Sequence, residues 1–335
     1  MRYPFPFSAI VGQEEMKQAI ILTAVDPSIG GVLVFGDRGT GKSTAVRALA
    51  SLLPSIKVAE GCPYNCTIIG SNCPHCQNKK PKKLIEKKTP VIDLPLGVTE
   101  DRVLGSLDLE AALVDGRKLF EPGLLAKANK GFLYIDEVNL LEDHIVDLLL
   151  DVAASGENLV EREGLSIKHE AQFVLIGSGN PEEGELRPQL LDRFGLSVEV
   201  SSPQDVIQRV QVVKRRDAFE TDYENFIKEW RLEDLKIRKK ILTARSLIKK
   251  VVIPDTIIDE CAQLCIALGA DGLRGELTLL RSTRALAAFK GNKKVGRNHL
   301  KEIATSALRH RLRRDPLDEA GSTIRIQKII SEVLN

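Results

Sequence analysis

The 335-residue sequence has few aromatic residues, almost no excess of charge and no long apolar run. Aromatic residues make up 4% of the chain, so it offers little material for a large aromatic-lined ligand pocket. The 48 Lys and Arg residues nearly balance the 46 Asp and Glu residues, and a net charge of +2 gives no reason to expect nucleic acid or a membrane surface as partner. No apolar run approaches the roughly 18 residues of a spanning helix, so we expect no membrane span.

Signals for export and for disulfide bonding are also missing. The first residues, MRYPFPFSAIVGQEE, lack a charged segment followed by an apolar one, so we expect no signal peptide and a cytoplasmic protein. In that reducing compartment, the six cysteines are expected to be metal ligands or redox thiols before structural disulfides. The length is sufficient for a full hydrophobic core and two domains.

Short apolar runs alternate with helical stretches between residues 31 and 200. Each run is nearly continuous in hydrophobicity, which is typical of strands buried on both faces of a parallel sheet, so the sequence predicts an α/β fold. Polar segments bounded by glycine, at about 96–126 and 158–170, predict inserted hairpins. The runs are GVLVF (31–35), TPVIDL (89–94), GFLYIDE (131–137), QFVLIGS (172–178) and GLSVEV (195–200).

The pattern becomes helical after Pro203, and a second domain made only of helices is expected at the C-terminus. We divide the chain into an α/β core (1–205) with a Cys-rich loop at 60–80, a helical linker (206–240) and a C-terminal helical domain (241–335). The predicted helical stretches are 203–250, 255–268, 274–290, 296–312 and 321–333.

The strongest motif is GDRGTGKS, Gly36 to Ser43, which fits G-x-x-x-x-G-K-[ST] between a predicted strand and a predicted helix. Its glycines let backbone N–H groups surround phosphates, and the N-terminus of the helix adds a favourable partial positive charge. Lys42 is predicted to contact the β- and γ-phosphates of ATP, and the Ser43 hydroxyl to bind the Mg²⁺ of MgATP. The predicted nucleotide-binding residues are Gly36, Asp37, Arg38, Gly39, Thr40, Gly41, Lys42, Ser43 and Thr44.

Acidic and amide side chains follow two other predicted strands. FLYIDE ends in Asp136 and Glu137 at the carboxyl end of an apolar strand, where ligands bind in open α/β sheets. We expect Asp136 to hold the same Mg²⁺ as Ser43, and Glu137 to orient and deprotonate the attacking water. Asn180 in GSGNP could polarise that water through its amide; taken alone, it would be a turn asparagine before proline.

Arg193 in RPQLLDRFG follows an acidic residue in a short segment. An arginine here could stabilise the charge that develops on the γ-phosphate in the transition state, an effect worth roughly 10³–10⁵ in rate for arginine fingers. The alternative is a surface ion pair between Asp192 and Arg193.

These motifs, followed by a helical domain, together resemble AAA+ ATPases. Longer blocks closely resemble the ATPase I subunits of magnesium chelatase, with the best match to the bacteriochlorophyll-type subunits of photosynthetic bacteria. The resemblance covers the chain from Phe7 onward, except between about Pro54 and Thr89. The blocks are DLPLGVTEDRVLGSLDLE, FEPGLLAKANKGFLYIDEVNLLEDHIVDLLLDVAASGENLVEREGLSI, GSGNPEEGELRPQLLDRFGLSVEV, DGLRGELTLLRSTRALAA and HRLRRDPLDEAGST.

The resemblance implies an assembly and a function. Members of this family form a ring, commonly of six subunits, with ATP between neighbours. Arg193 would then act on the nucleotide of the next subunit, and Arg274 in GLRGEL would be the sensor arginine. With a D subunit, the ring drives a porphyrin-binding H subunit that inserts Mg²⁺ into protoporphyrin IX in (bacterio)chlorophyll biosynthesis. The alternative function is that of an AAA+ remodelling ATPase acting on a protein or nucleic acid client.

A cysteine cluster lies in the segment that departs from the family blocks. GCPYNCTIIGSNCPHC contains Cys62, Cys66, Cys73 and Cys76 in the pattern C-x₃-C-x₆-C-x₂-C. Both outer pairs fit zinc-ligand spacing, but the centre is shorter than the usual interval between zinc knuckles. A structural Zn²⁺, redox-responsive thiols, unliganded cysteines and an iron–sulfur cluster are therefore all open. Cys261 and Cys265 share an apolar helical stripe, which predicts packing in the core.

Overall fold

A parallel β-sheet forms the centre of the protein, as the apolar runs predict. The computed structural model describes residues 3–37, 39–67, 73–79, 83–108, 113–114, 119–162, 165–180, 184, 186–270, 272–312 and 322–334. The predicted fold class is confirmed: parallel strands flanked by helices form a P-loop core, with hairpin insertions and a C-terminal helical region. The strands are β1 Val32–Gly36, β2 Ile56–Ala59, β3 Leu84–Lys87, β4 Val91–Leu94, β5 Gly105–Leu107, β6 Phe120–Pro122, β7 Phe132–Ile135, β8 Glu157–Arg162, β9 Leu165–Glu170, β10 Val174–Gly179 and β11 Leu196–Val200.

The central sheet has the strand order β11–β1–β10–β7–β4, and all neighbouring pairs are parallel. β7 and β10 are buried along their whole length, which explains their nearly continuous apolar sequences. Val34 of β1 is in register with Ser178 of β10, and Ile176 of β10 is in register with Tyr134 of β7. Because parallel strands end at the same edge, the carboxyl ends of β1, β10 and β7 lie side by side.

Helices cover both faces of the sheet and form the C-terminal region. One apolar cluster continues from the sheet into the C-terminal helices and includes Cys261 and Cys265, as their apolar stripe predicts. Among the described residues, no helix is both long and apolar enough to cross a membrane. The helices are α1 Glu14–Val25, α2 Lys42–Leu52, α3 Pro74–Lys79, α4 Glu100–Leu104, α5 Leu124–Ala128, α6 Asp143–Ser155, α7 Pro188–Arg193, α8 Val206–Thr221, α9 Tyr223–Leu247, α10 Asp255–Leu268, α11 Arg274–Phe289, α12 Arg297–Leu308 and α13 Ser322–Val333.

Antiparallel strand pairs lie outside the central sheet. β5–β6 and β8–β9 fall in the two segments for which the sequence predicts inserted hairpins. The pair β2–β3 is not predicted, because all four residues of β3 are exposed and the strand lies in a lysine-rich segment without an apolar pattern. This pair flanks the Cys-rich loop and joins its two ends.

The helical stretch from 203 to 250 is divided into α8 and α9 at Asp222. The Asp222 carboxylate accepts a hydrogen bond from the backbone N–H of Asn225 at 3.1 Å, so it caps the N-terminus of α9. α9 then continues through residue 240. The domain boundaries at residues 205 and 240 stay predictions.

A buried arginine joins the C-terminal helices to the sheet. Arg311 follows α12, and its side chain is 2% exposed. Its guanidinium donates to the backbone carbonyl groups of Asp192 at 3.1 Å, Phe194 at 2.6 Å and Gly195 at 3.0 Å, and it pairs with the Asp192 carboxylate at 3.2 Å. Burial lowers the pKa of Arg311 to about 10, so the side chain keeps its charge at neutral pH. These bonds fix the segment between α7 and β11 against the helical region.

Replacing Arg311 with alanine should destabilise the fold, because three backbone carbonyl groups and the Asp192 carboxylate lose their shared donor. We expect the free energy of unfolding to fall by about 3–5 kcal/mol, because several hydrogen bonds from a buried charged donor are lost and such bonds contribute about 1.5–3 kcal/mol each. Urea unfolding followed by circular dichroism measures the change. The control, Lys236→Ala, breaks an ion pair with Glu233 in which both side chains are more than half exposed, and should leave the urea midpoint unchanged. Equal midpoints for Arg311→Ala and the wild type would contradict the role of Arg311.

Candidate functional site

The glycine-rich motif forms the loop between β1 and α2. At Gly36, φ is +153° and a Cβ atom would lie 1.8 Å from the carbonyl oxygen of Val200 in β11, so only glycine fits. Gly41, with φ of +81°, turns the chain into α2. The Lys42 amine donates to the carbonyl oxygens of Gly36 at 2.5 Å and Asp37 at 3.1 Å. The lysine is thus held across the loop at the N-terminus of a helix, the arrangement that binds phosphates.

Gln13, just before α1, holds this loop from outside. Its backbone has φ of +55°, and its side-chain amide donates to the carbonyl oxygen of Thr40. The Thr40 hydroxyl in turn donates to the Asp37 carbonyl oxygen at 2.9 Å. Gln13 cannot be predicted as a site residue from the sequence, because it lies outside the motif and reaches it only through the fold.

Ser178 of β10 joins the acidic end of β7 to the neighbouring strand. Its hydroxyl lies 2.7 Å from Oδ1 of Asp136 and 3.0 Å from the Tyr134 hydroxyl, which is itself 3.0 Å from the same Asp136 oxygen. The backbone N–H of Glu137 donates to the Ser178 hydroxyl at 3.3 Å. Burial raises the pKa of Tyr134, so the phenol keeps its proton and remains a donor. These hydroxyl groups fix the Asp136 carboxylate, which is exposed.

A cavity of 560 Å³ opens over the ends of β1, β7 and β10. Its volume is in the range of small-molecule binding sites. Gly36 and Asp37 accept from Lys42 at the start of the loop, and Arg38 lies outside the described residues. The predicted site residues that line the cavity are Gly39, Thr40, Gly41, Lys42, Ser43, Thr44, Asp136, Glu137 and Asn180.

Glu137 and Asn180 are held on the same side of the sheet by different means. Glu137 has φ of +56°, a conformation that costs a non-glycine residue on the order of 1–3 kcal/mol and is found at functional sites. Asn180 directly follows β10 and is 7% exposed. The structure therefore brings a carboxylate and an amide, predicted from two separate strands, to one cavity.

Residues that sequence analysis did not select complete the cavity. Arg215 of α8 donates to the carbonyl oxygen of Ala9 at 2.9 Å and lies over the ring of Trp230 at 4.5 Å, while Arg216 pairs with Glu220 at 2.5 Å. These two arginines line the same cavity as Lys42. The additional lining residues are Phe5, Ala9, Ile10, Val11, Gln13, Tyr134, Ser178, Gly179, Val212, Arg215 and Arg216.

Two predicted site arginines are not among the described residues that line this cavity. Arg193, the last residue of α7, pairs with Asp147 at 2.9 Å and with Asp151, both on α6. Arg274, the first residue of α11, pairs with Asp192 at 3.1 Å. Asp192 therefore forms an ion pair with the C-terminal helical region, whereas Arg193 forms ion pairs with α6.

The residues at the strand ends fit MgATP. Backbone N–H groups of the glycine-rich turn and the N-terminus of α2 suit phosphate oxygens, and Lys42 adds a positive charge. The Ser43 hydroxyl and the Asp136 carboxylate line the same cavity and are oxygen ligands of the kind that Mg²⁺ prefers. Glu137 and Asn180 complete a set that can activate water next to a bound triphosphate.

The four clustered cysteines form a separate group. None of them is among the described residues that line the cavity. All four are buried, and their Sγ atoms lie within 4.8 Å of one another. The sequence prediction of a metal or redox site at these cysteines therefore concerns a position away from the nucleotide site.

Comparisons with known proteins show the family of the chain. A family model described as "Magnesium chelatase, subunit ChlI" matches residues 106–189, and one described as "AAA lid domain" matches residues 258–333. The magnesium-chelatase 38 kDa subunit of Cereibacter sphaeroides is 67% identical over 334 residues, which cover 100% of both chains. The subunit of the same name from Rhodobacter capsulatus is 67% identical over 330 residues, which cover 98% of this chain and 94% of the relative.

A solved structure gives the same relationship. A structure of the complex between subunits BchI and BchD of magnesium chelatase, based on a single-particle cryo-EM reconstruction, contains a chain that is 62% identical and covers 100% of this chain and 100% of its own length. The TM-score is 0.58. With 67% identity over its full length to a curated relative, and with an AAA lid domain, the chain belongs to the AAA+ family of magnesium-chelatase 38 kDa (ChlI) subunits.

Proposed function

We propose that the chain is the ATP-hydrolysing subunit of a magnesium chelatase, the ligase that inserts Mg²⁺ into protoporphyrin IX in (bacterio)chlorophyll biosynthesis. One observation carries this proposal: Lys42, Ser43, Asp136 and Glu137 line one cavity in a chain that is 67% identical to a magnesium-chelatase 38 kDa subunit. An aromatic content of 4% suits a subunit that leaves the porphyrin to a partner.

Hydrolysis requires a held triphosphate, neutralised charge and an activated water. Loop N–H groups and Lys42 bind the β- and γ-phosphates, and Ser43 and Asp136 hold the Mg²⁺ that accompanies ATP. Bound Mg²⁺ supplies neutralisation of the phosphate charge. Glu137 orients the attacking water and accepts its proton, and the Asn180 amide polarises the same water.

The ring expected for this family has support in α8. This helix lines the nucleotide cavity through Val212, yet it leaves an apolar row exposed: Val206 is 72%, Ile207 69% and Val213 67% accessible. Apolar rows of this kind mark contact surfaces for proteins. We assign this row to contact with a second copy in a cytoplasmic ring of six, where a neighbour would lie beside the nucleotide.

Arg193 and Arg274 would reach a nucleotide by exchanging their ion-pair partners. The pairs of Arg193 with Asp147 and Asp151 involve partly exposed groups, and the pair of Arg274 with Asp192 is about half exposed. Such pairs contribute little free energy, so a triphosphate can compete for the arginine. Arg193 would act as the finger on the next subunit's γ-phosphate, and Arg274 as the sensor of the helical region.

Two partner subunits complete the proposed function. A D subunit is expected because the similar solved structure is of a complex between BchI and BchD. An H subunit would hold protoporphyrin IX and insert the metal. Mg²⁺ releases its bound water reluctantly, so metal insertion is a step for which a conformational change driven by ATP is useful.

Lys42→Ala and Glu137→Gln should each reduce ATP hydrolysis by at least about 100-fold, because one removes phosphate contact and the other the general base. Glu137→Gln should still bind ATP, whereas Lys42→Ala should bind it more weakly. Steady-state phosphate release and binding of a fluorescent ATP analogue measure both effects. Glu142→Gln changes an exposed carboxylate of the same segment and should behave like the wild type. Full hydrolysis by either site variant would contradict the assignment.

Mixing Arg193→Ala with Glu137→Gln subunits should restore part of the ATPase activity. At equal amounts, about one interface in four then combines an intact Glu137 with an intact Arg193 of its neighbour. Titrating one inactive variant with the other and measuring phosphate release tests this. A mixture of Lys42→Ala with Glu137→Gln is the matched control, since no interface regains a complete site. Absence of rescue at every ratio of the first pair would argue against action between subunits.

Reconstitution separates the chelatase from the alternative, an AAA+ remodelling ATPase with a protein or nucleic acid client. With cognate D and H subunits, ATP, Mg²⁺ and protoporphyrin IX, we expect Mg-protoporphyrin to form, as followed by its fluorescence. Replacing the wild type with Glu137→Gln should abolish product while all components remain present. A wild-type subunit that hydrolyses ATP but yields no Mg-protoporphyrin with both partners would favour the alternative.

A further inference from the structure

We propose that Cys62, Cys66, Cys73 and Cys76 bind one structural zinc ion, which fastens the Cys-rich loop to the ATPase core. The site lies apart from the nucleotide cavity and does not depend on the proposed chelatase function. Its ligands would be four thiolates, the set found in closed structural zinc sites.

The sulfur positions fit a single tetrahedral ion. The Sγ atom of Cys62 lies 3.7 Å from that of Cys73 and 3.6 Å from that of Cys76, and all four Sγ atoms lie within 4.8 Å of one another. Zn–S bonds of about 2.3 Å in a tetrahedron give sulfur–sulfur distances of about 3.8 Å. A disulfide bond would bring two sulfur atoms to about 2.05 Å. The spacing therefore suits sulfur atoms arranged around one metal ion.

The backbone presents the cysteines from two tight turns. In the first turn, after β2, the Cys62 N–H donates to the Ala59 carbonyl oxygen at 3.1 Å, and the Ala59 N–H donates to the Cys66 carbonyl oxygen at 2.7 Å. In the second turn, at the start of α3, the Cys76 N–H donates to Sγ of Cys73 at 3.2 Å. N–H groups that donate to a thiolate orient it and stabilise its charge, as the outer shell of a metal site does.

The burial and clustering of the four cysteines favour zinc over redox-responsive thiols, an iron–sulfur cluster and unliganded cysteines. Each of the four cysteines is at most 6% exposed, whereas redox-responsive thiols are accessible to oxidants. In an iron–sulfur cluster the thiolates bind different iron ions and are therefore more widely separated than ligands of one ion, but here all four Sγ atoms lie within 4.8 Å of one another. Packing alone is a weak explanation, because the four cysteines make up most of a small cluster that is separate from the two main cores.

The loop that carries the cysteines docks at the C-terminus of α5, just before β7. The Asn65 amide donates to the Lys127 and Asn129 carbonyl oxygens at 3.0 and 3.2 Å, and the Asn129 amide donates to the Tyr64 carbonyl oxygen at 2.7 Å. The Tyr64 ring also lies 4.8 Å from the ring of His169 in the β8–β9 hairpin. Tyr64 and Asn65 lie between Cys62 and Cys66 in the sequence. A zinc ion bound to both cysteines would therefore hold these two residues against the core and against the inserted hairpin.

Metal analysis of protein purified without oxygen or chelators tests the proposal. We expect about one equivalent of zinc per chain in the wild type, and less than about 0.2 equivalent in Cys76→Ser. Cys265→Ser is the matched control: it also alters a buried cysteine, but in the helical core, and should keep its zinc. Zinc below about half an equivalent in the wild type, or iron in its place, would overturn the assignment.

A second measurement uses the wild-type chain alone, so it holds even if Cys76→Ser fails to fold. Titration with an organomercurial thiol reagent should release zinc to a coloured indicator as the clustered thiols react. Removing the ion should also lower the melting temperature by more than about 5 °C, because the docking residues lose their anchor. Thiols that react without zinc release would contradict the site. ATP hydrolysis is measured separately, so failure of the zinc site and failure of the proposed function remain distinguishable.

Discussion

The site requires β10 to lie between β1 and β7 in the parallel sheet, so that the carboxyl ends of all three strands meet at one edge. That arrangement brings the phosphate-binding loop after β1 next to Asp136 and Glu137 after β7, and next to Asn180 after β10. The Ser178 hydroxyl makes the arrangement rigid, because it contacts both the Asp136 carboxylate and the Glu137 N–H from the neighbouring strand. Preorganised groups of this kind need little rearrangement when charge develops during hydrolysis.

A second interaction ties the site to the rest of the chain. Asp192 receives Arg274 of α11 and Arg311 after α12, and the next residue is Arg193. A shift of the helical region would therefore act on the same short helix that carries the proposed finger. In the proposed ring, this connection would give a physical route by which nucleotide state, helical region and neighbouring subunit influence one another.

The sheet and the phosphate loop could be predicted because their signals are local. Apolar runs indicate buried strands, and the residue types and spacing of the motif at Gly36 to Ser43 predict a phosphate-binding loop between a strand and a helix. Contacts between residues that are distant in the sequence could not be predicted. Gln13 belongs to no motif, and Arg215 lies in a helical stretch whose sequence contains no site motif. The ion-pair partners of Asp192 and Arg193 could not be predicted either, because these adjacent residues contact different elements: Asp192 contacts the C-terminal helical region, and Arg193 contacts α6. The spacing of the cysteines in the sequence is compatible with zinc, an iron–sulfur cluster or free thiols. The distances between the four Sγ atoms, which only the fold determines, favour a single metal ion.

We propose that ATP is bound and hydrolysed where β1, β7 and β10 end. A high-resolution structure of the Glu137→Gln variant with MgATP is the decisive experiment, because slowed hydrolysis preserves the triphosphate. We expect phosphates on the loop from Gly36 to Thr44, Mg²⁺ contacting Ser43 and Asp136, and the γ-phosphate facing residue 137 and Asn180. A nucleotide bound elsewhere, or Mg²⁺ without contact to Asp136, would contradict it.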